Sequence, residues 1–302
     1  MSNKQGKKTF DLWSSNRERS KQTLPFPHIM IDNFLPQGLI ESFFEEIKGD
    51  NDFFEHYGWG GKRISVRYGT NEYNSLLKNS DSFNKIHSLL NTPRAVEGLY
   101  DWFREDIVNS GLKSDYLNLS KLKYNSDITE YSVTSNFFIR LYHKIFLNPI
   151  IRGYSLRRYY RRFMRYLSLP AIYPLFSYSQ SSGGYVEPTH TDSRHKVFIC
   201  LIYLDDMGDG GELVIQKNKK DKKLSSCKAY PLADEIEASD VIKPRRNRFI
   251  CFINQNNAYH STLPFIGLRR FIYFAYAVSN EESAFKTDYE VQLGDAGNTK
   301  RV

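Results

Sequence analysis

Three side chains in the second half of the chain are of the types that hold a redox metal. His190-Thr191-Asp192 sets an imidazole and a carboxylate two positions apart, which on an extended backbone turns both to one face. His260 follows the apolar run Phe249-Ile250-Cys251-Phe252-Ile253, so a β-fold can return it to the same mouth. Two imidazoles and one carboxylate on one face of an octahedral ion leave positions open, which suits ferrous iron and oxygen chemistry. A closed structural zinc site needs a fourth ligand. Taken alone, each histidine is equally compatible with an ordinary hydrogen-bonded or surface residue. Asp205, Asp206 and Asp209 before Gly210-Gly211 raise calcium as an alternative, but the spacing is not an EF-hand loop and a hairpin turn accounts for it. His195, close to the metal-type pair, reads as a rim residue.

Such ligands need a scaffold that brings distant segments together. From about residue 172 to 280, short runs rich in Ile, Val, Phe and Tyr alternate with turn signals: YPLFSYS, SSGG, KVFICLIYL, DDMGDGG, ELVIQ, RFICFI and RRFIYFAYAV. These predict antiparallel strands closing into a barrel or sandwich. Upstream, PFPHIMIDNF reads as a strand with Ile29 and Ile31 on one face, and Leu39, Ile40, Phe43, Phe44 and Ile47 follow helical spacing. Residues 82–112 carry a second helical pattern broken at Pro93. Helices first and strands later make the chain α+β. Residues 1–24, polar and lysine-rich, are expected to be a flexible tail; 25–112 form the N-terminal strand and supporting helices, 113–171 an insertion, 172–280 the strand-rich core and 281–302 a C-terminal extension.

Of 302 residues, 42 are Lys or Arg and 34 Asp or Glu, a formal charge of +8. The excess is local. Between Glu130 and Glu187 there is no acidic residue, while Arg140, Lys144, Arg152, Arg157, Arg158, Arg161, Arg162 and Arg165 lie inside. Residues 155–167 interleave these arginines with Leu156, Tyr159, Tyr160, Phe163, Met164 and Leu167 at helical spacing, a basic amphipathic helix. Either its arginines are simply solvated, or residues 152–165 form a docking surface for an anionic partner or membrane. No reader motif accompanies the charge, which argues against nucleic acid. No apolar stretch approaches the roughly 18 residues of a transmembrane segment, and the start lacks the apolar run of a secretory signal. Cys200, Cys227 and Cys251 are too scattered for a disulfide framework. A soluble, cytoplasmic protein is expected.

The order of these features resembles the 2-oxoglutarate- and iron(II)-dependent dioxygenase superfamily, in particular the prolyl-4-hydroxylase-like group, over residues 172–280. The matching residues are His190-x-Asp192, Leu201-Ile202-Tyr203-Leu204-Asp205, Gly210-Gly211-Glu212-Leu213, Arg248-Phe249-Ile250-Cys251-Phe252, His260 and an arginine nine or ten positions later. The resemblance implies a double-stranded β-helix (a jelly-roll, cupin-like core). It implies His190, Asp192 and His260 as iron ligands, with Fe(II), 2-oxoglutarate as cosubstrate and O2 as cofactors. The distal carboxylate of such a cosubstrate needs a cation that stays charged, and the planar arginine fork fits it. Arg269 and Arg270 both qualify, and on a strand only one of them points inward. Arg270 is favoured after the Gly267-Leu268 loop, and the choice stays open. By similarity Tyr203 donates to the same carboxylate and Tyr178 lines the pocket; core packing is the alternative for both.

The activity implied is hydroxylation of an unactivated C–H bond, coupled to decarboxylation of 2-oxoglutarate to succinate and CO2. Its primary substrate is a peptidyl proline, a small metabolite, or a sugar or lipid conjugate. Two other classes compete: a non-catalytic barrel that binds an anionic partner through the basic helix, and a metal-dependent hydrolase or cupin-like isomerase. The complete set of three ligands with a candidate carboxylate anchor argues against the first, since loss of catalysis usually leaves a position free to drift, and the second gives the arginine after His260 no special task.

Overall fold

In the strand Leu268–Val278, Phe271, Ala275 and Ala277 share one face, and Ile272, Phe274, Tyr276 and Val278 the other. All seven are buried, so the strand lies between two packed layers. The computed structural model describes residues 11–15, 17–47, 58–59, 63–126, 171–183, 185–219, 224, 228–278 and 283–286. The predicted basic helix at 155–167 lies outside them.

The strands are β1 (Ser20–Gln22), β2 (His28–Ile31), β3 (Gly58–Trp59), β4 (Arg63–Arg67), β5 (Lys123–Tyr124), β6 (Ala171–Ser182), β7 (Lys196–Tyr203), β8 (Leu213–Asn218), β9 (Ile236–Ile242), β10 (Phe249–Ile253), β11 (His260–Thr262) and β12 (Leu268–Val278). The helices are α1 (Leu39–Glu46), α2 (Asn71–Asn79), α3 (Asp81–Leu90), α4 (Pro93–Trp102), α5 (Arg104–Asn109) and the single turn α6 (Ser114–Leu117). The larger sheet runs β1-β2-β10-β7-β12-β6-β4-β3, with β5 joining β6 in parallel, and the smaller is β11-β8-β9. This is a sheet-rich α+β fold of jelly-roll type.

Two apolar clusters divide the strand faces. Ile199, Leu201, Ile250, Phe252 and Phe271 of the large sheet pack against Leu213, Ile215 and Ile242 of the small one. On the reverse face, Phe198, Cys200, Ile202, Phe249, Phe274 and Tyr276 pack against the helices through Phe43, Phe83, Leu99 and Trp102. The helices begin where short polar side chains can cap them. Thr70, Ser80 and Thr92 accept from the backbone N–H of Tyr73, Phe83 and Ala95. Pro93 therefore opens α4 as its first residue rather than interrupting a longer helix. Glu46 at the end of α1 accepts from Ser80 Oγ at 2.5 Å and Ser82 Oγ at 2.6 Å, which ties α1 to the start of α3.

The expected tail at 1–24 is corrected over its described part. Leu12 and Trp13 are buried, and the Trp13 ring lies 5.4 Å from Phe34 and 5.3 Å from Trp102. The Trp13 indole N–H donates to the Leu89 carbonyl, and β1 pairs with β2. An aromatic anchor outweighs the polar residues around it. The 281–302 extension also touches the core, since Ala284 and Phe285 are buried and Phe285 bridges to Leu112. Asn247 takes a left-handed turn, with φ of 60°. Its amide accepts from Leu35 N–H and donates to the Leu35 carbonyl, fastening the loop before β10 to the start of the chain. Among the described residues no helix is long and apolar enough to cross a membrane.

Candidate metal centre

Between the two sheets lies a cavity of about 360 Å³, and His190, Asp192 and His260 line it. His190 and Asp192 sit on the loop before β7, and His260 opens β11. Reciprocal backbone hydrogen bonds of 3.0 Å, His190 N–H to the His260 carbonyl and His260 N–H to the His190 carbonyl, join the two segments. One donor atom from each of the three side chains falls within 4.8 Å of the others, and among the described residues this is the one such group. Asp205, by contrast, accepts a bidentate pair from Arg270, and Asp206 accepts from Arg246 N–H, so the calcium alternative has no support.

The ring nitrogens have settled roles. His190 Nδ1 lies 2.8 Å from the Pro188 carbonyl and His260 Nδ1 lies 3.0 Å from the Ala258 carbonyl. A carbonyl oxygen only accepts, so both Nδ1 atoms carry a proton and both Nε2 atoms are turned toward the cavity. Such carbonyl partners fix the tautomer and orientation of a metal-binding imidazole. Burial, helped by His190, lowers the His260 pKa to about 4, so the ring is neutral at physiological pH. Its Nε2 stands 3.5 Å from Asp192 Oδ2.

Burial would raise the Asp192 carboxyl, but the Lys196 ammonium and the two imidazoles override it and hold the group well below the usual carboxylate range. Lys196 Nζ lies 2.6 Å from Asp192 Oδ1 and 2.7 Å from the Tyr273 hydroxyl, which itself donates to Oδ1 at 3.2 Å. One carboxylate oxygen is therefore occupied by protein donors, and the other faces the imidazoles. This chemistry, two imidazoles and one ionised carboxylate around an accessible cavity, fits a divalent metal with open positions. The sequence reading missed Lys196 and Tyr273. Lys196 is four positions after Asp192, and Tyr273 has the same strand parity as Arg269; neither spacing is distinctive by itself.

The two candidate arginines part company. Arg269 shares the cavity-facing parity of Phe271 and is only 4% exposed. Its Nη2 donates to the Tyr203 hydroxyl at 3.2 Å, its Nε has no partner, and its guanidinium lies 4.7 Å from the Phe271 ring centroid. Arg270 turns to the other face, where it grips Asp205 at 2.9 and 2.5 Å and lies over Phe44. This corrects the preference for Arg270: its charge is already matched outside the cavity. Tyr178 is also corrected. It shares the parity of Phe176, packs edge-on against Phe43 in the helix-facing cluster, and does not line the cavity. Tyr203 stands with the intersheet cluster, behind Arg269.

Residues 175–277 match the family model described as the 2OG-Fe(II) oxygenase superfamily. No curated protein sequence matches the chain. Among solved structures, one of prolyl 4-hydroxylases from Phytophthora capsici is similar at 13% identity and a TM-score of 0.43, over 91% of this chain and 68% of that one. A prolyl-4-hydroxylase from Pseudomonas putida is similar at 10% identity and 0.41, over 83% and 91%. A prolyl hydroxylase from Trichoplax adhaerens, in complex with a hypoxia inducible factor peptide fragment, is similar at 12% identity and 0.43, over 85% and 86%.

Proposed function

We propose that His190, Asp192 and His260 hold the iron(II) of an enzyme that hydroxylates an unactivated C–H bond, a reading supported by the match of residues 175–277 to the 2OG-Fe(II) oxygenase superfamily model. When bound, iron(II) with 2-oxoglutarate and dioxygen supplies the oxidant, and the oxo acid leaves as succinate and CO2. The protein contributes ligand orientation, a shielded cavity and substrate placement. The double-stranded β-helix expected from the sequence is supported by the two facing sheets and by the passage of β7, β10 and β12 through one layer.

The observation that carries this reading is Arg269. A guanidinium that is 4% exposed, with its Nε unpartnered and a hydroxyl as its polar neighbour, is a buried cation awaiting an anion. The distal carboxylate of 2-oxoglutarate satisfies it through charge-assisted hydrogen bonds, and Tyr203 supplies a further donor beside it. A metal-dependent hydrolase has no use for such a group.

The test is succinate release from 2-oxoglutarate under air with added iron(II). Wild-type protein is expected to turn over slowly without a primary substrate, and His190→Ala and Asp192→Ala to fall to background. Wild-type turnover in both variants would overturn the assignment.

A further inference from the structure

The candidate ligands are held from different sheets, so the centre depends on how the His190 segment sits against the large one. His190 and His260 lie together at β11 of the small sheet, joined by their reciprocal main-chain hydrogen bonds. Asp192 is held from the large sheet, by Lys196 of β7 and Tyr273 of β12. Thr262 N–H donates to the Glu187 carbonyl at 3.1 Å, so residues 187–190 follow β11. These main-chain bonds fasten the segment to the small sheet only.

Arg63 of β4 supplies a tie to the large sheet. Its Nη1 donates to Glu187 Oε2 at 2.9 Å and to the Tyr185 hydroxyl at 2.8 Å, and that hydroxyl donates to the same carboxylate oxygen. Burial, and then the bond to Glu187, raise the Tyr185 pKa, so the hydroxyl keeps its proton and remains a donor. The Arg63 guanidinium lies 5.5 Å from the Tyr185 ring centroid and 5.4 Å from that of Phe271 on β12. All four residues line the cavity. Glu187 immediately precedes Pro188, whose carbonyl lies 2.8 Å from His190 Nδ1. A shift of Glu187 therefore moves the acceptor that orients the His190 ring.

We infer that Arg63, together with Tyr185, is a positioning residue for the metal centre: it holds Glu187 and, through the Pro188 carbonyl, aims His190 Nε2 at the ion. This rests on the metal reading of His190, Asp192 and His260 and deepens it. An orienting partner of a metal-binding imidazole is worth 10- to 100-fold in affinity, and the lower figure applies to Arg63, which acts through one further residue and is 26% exposed. Charge alone works in the opposite direction, since removing a cation from the cavity wall favours a divalent ion. A loss of affinity on removing Arg63 therefore reports position.

The experiment is calorimetric titration of the full chain with manganese(II), together with absorption spectra of the cobalt(II)-loaded protein. Arg63→Gln is expected to weaken manganese(II) binding about tenfold, and Arg63→Lys to recover part of the loss. Tyr185→Phe changes no charge and should weaken binding about threefold. The cobalt(II) bands of both variants should shift or change intensity as His190 is re-aimed. Glu187→Gln loses the same tie, so the Arg63→Gln/Glu187→Gln double variant should fall between the two single ones rather than at their sum. Arg94→Gln, which breaks a 3.0 Å ion pair with Asp11 outside the cavity lining, should leave both readouts unchanged. Wild-type or tighter manganese(II) affinity in Arg63→Gln, whatever its metal-free Tm, would overturn the inference, and so would additive losses in the double variant. If Arg63→Gln does not fold, wild-type affinity and cobalt(II) bands in Tyr185→Phe overturn it. A wild-type protein that binds no manganese(II) in the same titration would remove the metal reading, and this inference with it.

Discussion

Replacing Lys196 by methionine keeps the apolar stem and deletes the ammonium that holds Asp192. Both side chains are largely buried, at 16% and 13% exposure, and their charged atoms are 2.6 Å apart. Removing one partner of such a pair leaves an uncompensated carboxylate and costs about 3–5 kcal/mol. The Tyr273 hydroxyl still donates to Asp192 Oδ1, so the lower figure is expected, about 3 kcal/mol. At about 2 °C per kcal/mol for a large domain, the metal-free Tm should fall by roughly 6 °C. Metal binding carries two opposing effects. Loss of an orienting neighbour weakens a metal site by roughly 10- to 100-fold, or about 1.4–2.8 kcal/mol. Against that, a divalent ion now relieves the unpaired charge, which at about 3 kcal/mol slightly exceeds the loss. Saturating manganese(II) should therefore raise the Tm of Lys196→Met by at least as much as that of wild type, and recover part of the deficit. Differential scanning calorimetry at pH 7.5, with and without manganese(II), reads both quantities. A metal-free Tm within 2 °C of wild type would show that Lys196 is not holding Asp192, and a deficit untouched by metal would show that the carboxylate is not a ligand.

Arg269→Gln should weaken 2-oxoglutarate binding by about 100-fold, the loss of a buried charge-assisted pair. Arg270→Gln should leave that affinity within a few-fold and instead lower Tm by releasing Asp205; equal effects on affinity would reject the division. His87 is buried, accepts at Nε2 from the Asn91 amide, and has its pKa lowered to about 4 by burial. Its folded pKa is below its unfolded value of 6.5, so its contribution is fully present above pH 6.5 and is lost as pH falls toward 4. By linkage that amounts to roughly 3 kcal/mol. Urea unfolding of His87→Gln should show a flatter slope across that window than wild type, and parallel curves would refute the assignment. Gly210 has φ of 85°, and a Cβ there would stand 2.1 Å from the Pro264 carbonyl oxygen. Gly210→Ala should cost about 2–4 kcal/mol in chemical denaturation, because both the left-handed conformation and the backbone contact resist it; a loss under 1 kcal/mol would mean the loops are not fixed against each other.

The elements were legible where one physical signal dominated. Leu39, Ile40 and Phe43 mark the buried face of α1, and the apolar runs from 171 onward became β6, β7, β8, β10 and β12. The metal-type triad was legible as well, because His190 and Asp192 keep strand-like spacing and His260 follows a strong β signal. The inward arginine was not. Alternation decides facing only when one face is wet, and β12 is buried on both sides, so Arg269 with Phe271 and Arg270 with Ile272 look alike in sequence. Asp205 breaks the tie, since it draws Arg270 to the opposite face, but that pairing spans 65 positions and is invisible before the strands are in register. The Tyr178 error has the same origin, for β6 is also packed on both faces.

The centre owes its geometry to local rules. Each imidazole donates to the carbonyl two residues upstream, Pro188 for His190 and Ala258 for His260, so the free nitrogen is chosen by the ligand's own segment rather than by a distant partner. The two segments are then joined through their main chains by the reciprocal pair between His190 and His260. The third candidate ligand, Asp192, is fixed from β7 and β12, by Lys196 and Tyr273. All three candidate ligands are thereby set by hydrogen bonds that need no metal, so an ion entering the cavity would lose little to reorganisation.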